Sequence, residues 1–358
     1  MKNNIFIIPT IVMPLLYPLS AVAEEGSRIR WSGFATAGVS ASSSETEYIE
    51  RIDEDGDYRE TKLGLNLGVS ITPELGLAGQ ILMAGRERDF GAHADWVFLS
   101  YDIFDSTSIM AGRIKYPNLL FSEIYDVGYL YPWARVPQEI YSFESLGPNM
   151  AHEVFAGVSL LHSGELSEDF EYTIQPYGGN APMEDGNIKK MVGIMISTNS
   201  ENFLIKGGYN RGEMHLEEDH HREISEGAIR QIWSAGFQMD FNDVLANAEY
   251  VRSTIEDMSE FDTDSWYVNL GYRINQWTPY ITYGVMEQES GLGQRSITAD
   301  LRYDIGTSAA LTIEYQNIDP QLRDSTVGEE NKLPSGLFAS EPSESTVNIV
   351  SVTLDVIF

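Results

Sequence analysis

The chain has 358 residues, no cysteine and a formal net charge of −31 at pH 7. The lack of cysteine excludes disulfide bonds, and this acidic balance argues against a nucleic-acid-binding protein, which needs a basic face. Beyond the N-terminus, no stretch approaches the roughly 18 apolar residues of a membrane-spanning helix.

The N-terminus predicts a secretory signal peptide over residues 1–23. Lys2 precedes the apolar run IFIIPTIVMPLLYPL, and AVA stands before Glu24. A positive residue, an apolar stretch and a small-residue cleavage site are the parts of such a peptide. A transmembrane anchor is the alternative, but the run is short and is interrupted by prolines. We expect an exported chain whose mature part covers residues 24–358.

Most of the mature chain alternates between apolar and polar residues. In WYVNLGYRIN, residues 266–275, every second position carries Trp, Val, Leu, Tyr or Ile. Successive strand residues point to opposite faces, so this period of two predicts strands with one apolar face. The pattern predicts about sixteen strands. They lie near 30–41, 61–71, 75–84, 94–103, 107–115, 152–163, 170–178, 189–198, 203–211, 228–240, 244–254, 264–274, 277–286, 294–303, 309–317 and 346–358.

Short and long connections alternate along the chain. The short ones include 73–74 and 104–106, and the long polar ones include 42–60, 116–151 and 318–345. A soluble sandwich or propeller would bury its apolar face, whereas a membrane barrel turns that face to lipid. Strand length near the ~9–11 residues that cross a bilayer favours the barrel. We predict an all-β fold, a transmembrane antiparallel β-barrel of about sixteen strands with both ends of the chain on one side.

The chain ends in SVTLDVIF, with Phe358 last. In this strand Leu354 and Val356 share the parity of Phe358, which predicts an outward apolar face. A terminal strand ending in Phe resembles the sorting signal of Gram-negative outer-membrane proteins. The resemblance implies recognition of Phe358 by the barrel-assembly machinery, and closure of this strand against the first one.

The connection 116–151, here called the third loop, is rich in aromatic and aliphatic residues and carries few charges. An exposed loop of this composition would leave many large apolar side chains in water, and disorder does not suit it. We therefore predict that the third loop folds inward and packs against the barrel wall.

Sixteen strands, a signal peptide, a terminal Phe and this loop order resemble the Gram-negative outer-membrane porins. AGRIKYP at 111–117 is similar to the way their fifth strand leads into the third loop. The resemblance implies a constriction formed by the third loop, a water-filled channel for passive diffusion of small hydrophilic solutes and ions, a homotrimer, and an outer-membrane location in contact with lipid and lipopolysaccharide.

Charged residues of the third loop and of the lumen-facing parity are candidates for the pore lining. Opposed rows of acids and bases across a narrow pore orient polar solutes; ordinary solvated or paired charges are the alternative. The constriction candidates are Arg113, Lys115, Glu123, Asp126, Arg135, Glu139 and Glu144. The candidates for the lumen wall are Lys62, Lys206, Arg230, Arg273 and Arg302.

Other functions find less support in the sequence. The acidic segment 50–60 lacks the spacing of a calcium loop, and the His-rich segment 213–223 lies in a loop, so we predict neither a metal site nor a cofactor. No nucleophile–base motif is present, so an enzyme is not predicted.

The alternative to a channel is a closed barrel that acts as a receptor, adhesin or scaffold, with an outer-membrane hydrolase less favoured. The net charge predicts a weak cation preference.

Overall fold

A computed structural model describes residues 28–49, 51–85, 90–142, 154–183, 186–216, 227–321, 336–340 and 342–358. The signal peptide predicted over 1–23 lies outside these residues, as does Glu144 of the third loop. In the described part of the chain, no helix has the length and apolarity needed to cross a membrane.

Sixteen antiparallel strands form one closed barrel in which each strand pairs with its neighbours in sequence and β16 pairs with β1. The predicted fold is confirmed. The strands are β1 Ile29–Ser42, β2 Lys62–Ser70, β3 Leu75–Ala84, β4 His93–Phe104, β5 Thr107–Lys115, β6 Val154–Ser167, β7 Phe170–Met183, β8 Gly186–Asn199, β9 Phe203–Leu216, β10 Ile229–Phe241, β11 Val244–Ile255, β12 Thr263–Tyr272, β13 Trp277–Gln288, β14 Gly293–Ile305, β15 Ala309–Gln321 and β16 Val347–Ile357.

The hairpin of β7 and β8 is longer than its sequence pattern indicates. The connection predicted over 179–188 is mostly strand, because β7 runs to Met183 and β8 begins at Gly186. Lys189 and Lys190 are exposed on this hairpin, and a β-bulge interrupts its pairing with β9 between Lys189 and Val192. The bulge and the outward charges break the alternation on which strand prediction depends.

The two faces of the terminal strand match the predicted parity. Val350, Leu354 and Phe358 are exposed on the outside, whereas Thr353 and Asp355 are buried in the lumen. Phe358 and Gly33 of β1 exchange backbone hydrogen bonds of 2.8 and 2.9 Å. The Phe358 ring lies so close to Gly33 that a Cβ there would come within 2.6 Å of ring carbons. Glycine at this position therefore lets the barrel close around the terminal aromatic ring.

The third loop, described through residue 142, folds into the lumen as predicted. It contains two short 3-10 turns, Ser122–Ile124 and Gly128–Leu130, and one short helix, α1, Gln138–Tyr141. Its apolar side chains form one buried cluster with wall residues of β9 to β12. The cluster comprises Leu119, Leu120, Phe121, Ile124, Tyr131, Trp133, Val136, Ile140, Tyr141, Leu204, Ile232, Val251 and Tyr267. Apolar burial thus holds the third loop against one side of the barrel.

Candidate pore constriction

A buried carboxylate on β11 anchors the third loop to the wall. Glu249 accepts a hydrogen bond of 2.7 Å from the backbone N–H of Leu120 and one of 2.8 Å from the Tyr267 hydroxyl. The hydroxyl of Tyr141 in α1 also donates to it. Burial is the main cause that raises the pKa of Tyr141 well above its ordinary value, so its hydroxyl keeps the proton that it donates. Three donors on one carboxylate fix the loop in register with β11 and β12.

Arg135 of the third loop forms ion pairs with two acids of the barrel wall. Its guanidinium lies 3.1 Å from Glu60 Oε1 and 3.3 Å from Glu314 Oε1. Burial lowers the pKa of Arg135, but Glu314 and Glu60 raise it by more, so the guanidinium stays charged. Removing one partner of a buried ion pair is costly, because it leaves the other charge uncompensated. This contact therefore ties the third loop to β15 and to the chain segment before β2.

Lys115 at the end of β5 joins the third loop to β4. Its Nζ lies 2.7 Å from Asp126 Oδ2 and 2.9 Å from Asp95 Oδ2, and all three side chains are buried. Asp95 also accepts a hydrogen bond of 2.8 Å from Gln80 Nε2. One ammonium between two carboxylates fixes the point at which the chain leaves the barrel wall.

Lys206 of β9 holds the first turn of the third loop. Its Nζ donates to the Leu119 carbonyl at 2.9 Å and lies 3.3 Å from Glu123 Oε2. Burial raises the pKa of Glu123 and Lys206 lowers it, with a net increase. This pair is sensitive to proton concentration, because the carboxyl becomes neutral at a higher pH than an ordinary glutamate does.

Lys62 of β2 faces the third loop without a carboxylate within ion-pair distance in the described structure. Its Nζ donates to the Tyr131 hydroxyl at 3.1 Å and lies 3.5 Å from the Tyr125 carbonyl. It also lies 5.7 Å from the Tyr131 ring centroid and 5.9 Å from that of Tyr125. Aromatic faces stabilise a cation, so the two tyrosines of the third loop hold the Lys62 ammonium in place.

A narrow space lies between this part of the third loop and the start of β2. A cavity of about 20 Å³ is found there, and a cavity of about 330 Å³ lies between the third loop and β1–β4 toward the end of the barrel that carries the short turns. The small cavity, here called the neck, is lined by Arg59, Glu60, Lys62, Ala84, Tyr125, Asp126, Tyr131, Arg135, Val136 and Gln138. Its volume is about that of one water site, so charged and polar side chains of the third loop and of the wall lie close together here.

Two of the predicted constriction residues, Glu139 of the third loop and Arg113 of β5, do not line the neck. Glu139 is buried on α1, where Oε1 accepts a hydrogen bond of 2.9 Å from Gln294 Nε2. Arg113 is exposed, and its register partners Val97 and Ala156 are exposed on the outer face as well. The prediction that Arg113 lines the constriction does not agree with this position. The strand alternation directs its side chain outward.

The remaining wall candidates are buried or half-buried on the lumen-facing parity. Arg302 of β14 donates two hydrogen bonds of 2.9 Å to the carbonyls of Tyr129 and Tyr131. These bonds attach the third loop to β14. Arg230 Nε donates to Ser253 at 3.2 Å. Arg273 pairs with Asp240 at 2.8 Å beside a short turn.

The sequence analysis did not identify the acidic residues that pair with the bases of the third loop. Glu60 lies at the end of the polar connection predicted over 42–60, and Glu314 lies in the strand predicted over 309–317. The lumen-facing parity of Glu314 was a usable signal, because a buried strand acid needs a partner. Among the described residues, no group of three or more His, Asp or Glu side chains is placed to hold a metal ion.

Residues 154–321, from β6 to β15, match the family model of the Gram-negative porins. The predicted family resemblance is confirmed. The match also confirms the predicted location, the outer membrane of a Gram-negative bacterium. No curated protein sequence matches the chain.

Several solved structures of outer-membrane proteins share the fold. An anion-selective porin from Comamonas acidovorans has a TM-score of 0.63 and 12% identity, covering 92% of this chain and 99% of that chain. OmpF from Salmonella typhi, in complex with daunomycin, has a TM-score of 0.62 and 15% identity, covering 94% and 99%. The trimer form of OmpT from Vibrio cholerae has a TM-score of 0.56 and 12% identity, covering 92% and 99%. At these identities the likeness shows the fold alone.

Proposed function

We propose that this porin-type barrel is a channel for passive diffusion of small hydrophilic solutes and ions across the outer membrane. The observation that carries the proposal is the polar lumen wall that faces the inward third loop. Buried Ser, Thr, Asn, Gln and charged side chains follow the lumen parity of the strands, which a water-filled passage requires. The porin family match supports the same function.

The proposed constriction contains Lys62, Glu123, Asp126 and Arg135. Asp126 and Arg135 line the neck with Lys62, and Glu123 lines the larger cavity. Opposite charges across so narrow a space orient polar solutes. Lys115 acts by positioning Asp126, because its ammonium binds that carboxylate.

We further propose a weak cation preference. The chain has 54 acidic and 23 basic residues, and fixed negative charge raises the local concentration of cations near a pore mouth. Near the constriction most acids and bases are paired, so the preference is small.

The proposed partners are outer-membrane lipid, lipopolysaccharide, the barrel-assembly machinery through Phe358, and two further copies of the chain. The trimer form of the related Vibrio cholerae OmpT supports the homotrimer. Exposed apolar side chains around the outer face, such as Ile281 and Leu270, support contact with lipid.

A closed barrel that acts as a receptor or scaffold is the second candidate. The packing of the third loop inside the lumen, against β9 to β12, is the observation that favours it. We propose no enzymatic activity, since the family match and the fold support a channel.

Planar-bilayer recording with the purified, folded protein tests the proposal. Stepwise ohmic conductance is the expected result. Silent insertion of protein that shows heat-modifiable gel mobility would favour the closed barrel.

A further inference from the structure

The first and last long connections of the chain meet at one end of the barrel. The connection 42–60, here called the first loop, and residues 336–340, here called the last loop, form an antiparallel bridge at Tyr48 and Phe338. Two backbone hydrogen bonds, of 2.8 and 2.9 Å, flank this bridge. The rings of Tyr48 and Phe338 pack together, with 4.9 Å between their centroids. The two loops therefore form one paired unit.

This unit is buried against the lumen side of β13, β15 and β16. Ile349 of β16, for example, shares the lumen-facing parity of Thr353 and Asp355. Apolar burial holds both loops against the wall, so they occupy part of the lumen at the end that carries the long connections. The buried side chains, here called the outer cluster, are Tyr48, Ile49, Ile52, Met286, Ile318, Leu337, Phe338, Val347 and Ile349.

Gln294 of β14 joins the outer cluster to α1 of the third loop. Its Nε2 donates a hydrogen bond of 3.0 Å to the Tyr48 hydroxyl and one of 2.9 Å to Glu139 Oε1. Its Oε1 accepts a hydrogen bond of 3.2 Å from the Leu337 N–H. The side chain is fully buried, and both of its N–H donors and its oxygen are engaged. One amide thus contacts the first, the last and the third loop.

Gly336 permits the close approach of the last loop to this amide. Its φ of +59° lies in the left-handed region, which favours glycine. A Cβ at this position would come within 2.8 Å of Gln294 Oε1. A larger residue would therefore separate the last loop from Gln294.

These contacts make the positions of the loops interdependent. If the first and last loops leave the wall, Gln294 loses two of its three partners and is free to rotate away from Glu139. Glu139 is itself buried, and a buried polar group that loses its partner costs about 1–3 kcal/mol. Release of the outer cluster therefore lowers the free energy needed to release α1, and the converse also holds.

We propose that Gln294 is a positioning residue that couples the outer cluster to α1, so that displacement of the first and last loops shifts the third loop. The consequence for solute passage rests on the proposed channel function, because the third loop lines the neck. The coupling itself is a property of the loops, and it can be measured without conductance.

A single cysteine at the end of α1 reports the position of the third loop. The chain has no cysteine. Ser142, the residue that follows α1, is buried, and its hydroxyl has no hydrogen-bond partner among the described residues. Ser142→Cys is therefore a small change. In the folded full barrel in detergent, the rate at which this thiol reacts with a charged methanethiosulfonate reagent measures how often α1 leaves the wall.

Phe338→Ala should raise this rate about tenfold, because loosening the outer cluster costs α1 the equivalent of one hydrogen bond. Gln294→Leu should raise the rate to a similar extent. Phe338→Ala should add nothing in the Gln294→Leu background, since the coupling residue is already lost. Gln294→Glu keeps an acceptor for Leu337 but places a carboxylate against Glu139, so it serves the same purpose if Gln294→Leu does not fold.

Gln316→Leu is the matched control. It removes another buried lumen amide, on β15, whose Oε1 has no hydrogen-bond partner among the described residues, and it should leave the rate unchanged. Heat-modifiable gel mobility establishes that each variant is folded. An unchanged rate in Phe338→Ala, or effects of Phe338→Ala and Gln294→Leu that multiply, overturns the coupling. The expected rates in a protein that forms no conducting channel would instead refute the channel and leave the coupling standing.

Discussion

The indole N–H of Trp133 donates a hydrogen bond of 2.7 Å to Thr282 Oγ1 and joins the third loop to β13. The Trp133 ring also packs edge-on against Phe121, at 5.3 Å between centroids, and against Tyr267, at 5.5 Å. Trp133 thus packs against another residue of the third loop and contacts two wall strands, β12 and β13. The position of the loop in the lumen depends on such contacts.

Replacement of this ring should loosen the third loop. Trp133→Ala removes a fully buried side chain, at a cost of about 3–5 kcal/mol in the free energy of unfolding. We expect a larger and noisier single-channel conductance, because the loop gains freedom to move. Trp233→Ala is the control, since that ring is 53% exposed on the outer face. Equal conductance in Trp133→Ala and the unmodified protein would contradict the role of this contact.

Loss of the Arg135 charge should increase the cation preference. Arg135→Gln leaves Glu60 and Glu314 without their cation, so the neck becomes more negative. Reversal potentials in a salt gradient measure the change. Arg113→Gln is the matched control, because Arg113 lies on the outer face, and it should leave the reversal potential unchanged. An equal shift of the reversal potential in both variants would show that the net charge of the protein, and not the charge of the neck, determines the ion preference.

The strand pattern predicted the barrel because the alternation of apolar and polar residues within each strand shows which side chains face outward and which face the lumen. The outward parity of Leu354 and Phe358 and the inward fold of the apolar third loop follow from local composition, and both were predicted. The same parity rule fails at the end of β5, where the neighbours Ile114 and Lys115 are both buried. The chain turns into the lumen at this point, so Lys115 faces inward although Arg113, with the same parity, faces out.

The partners of the loop charges could not be predicted. Arg135 meets Glu60 and Glu314, which are 75 and 179 residues away in the sequence. Such pairs depend on barrel closure and on the depth to which the loop enters, and neither leaves a local pattern. Composition indicated that the loop is buried; it did not indicate which wall the loop touches.

Stability should depend on pH through Glu123. Its pKa is raised by burial, so the folded state binds a proton more tightly than the unfolded chain does. The associated stability is fully present below the ordinary value of 4.5 and is lost as pH rises through the raised pKa. Urea unfolding of the unmodified protein and of Glu123→Gln, which mimics the protonated form, measures this. The free energy of unfolding of the unmodified protein should approach that of Glu123→Gln as pH falls. The difference between the two proteins should stay constant below pH 4.5. A difference independent of pH would contradict the assignment.

The cation preference should fade with salt. Acidic residues at the rim, such as Glu54 and Asp55, are exposed, and the field of exposed charges extends about 10 Å at 0.1 M salt but only about 3 Å at 1 M. Reversal potentials should therefore indicate cation preference at 0.1 M and almost none at 1 M. The double variant Glu54→Gln/Asp55→Asn should reduce the preference at 0.1 M and change nothing at 1 M.

An anion preference that persists at 1 M would mean that Lys62 dominates the neck. Lys62 has no carboxylate within ion-pair distance among the described residues. Lys62→Met should then abolish it.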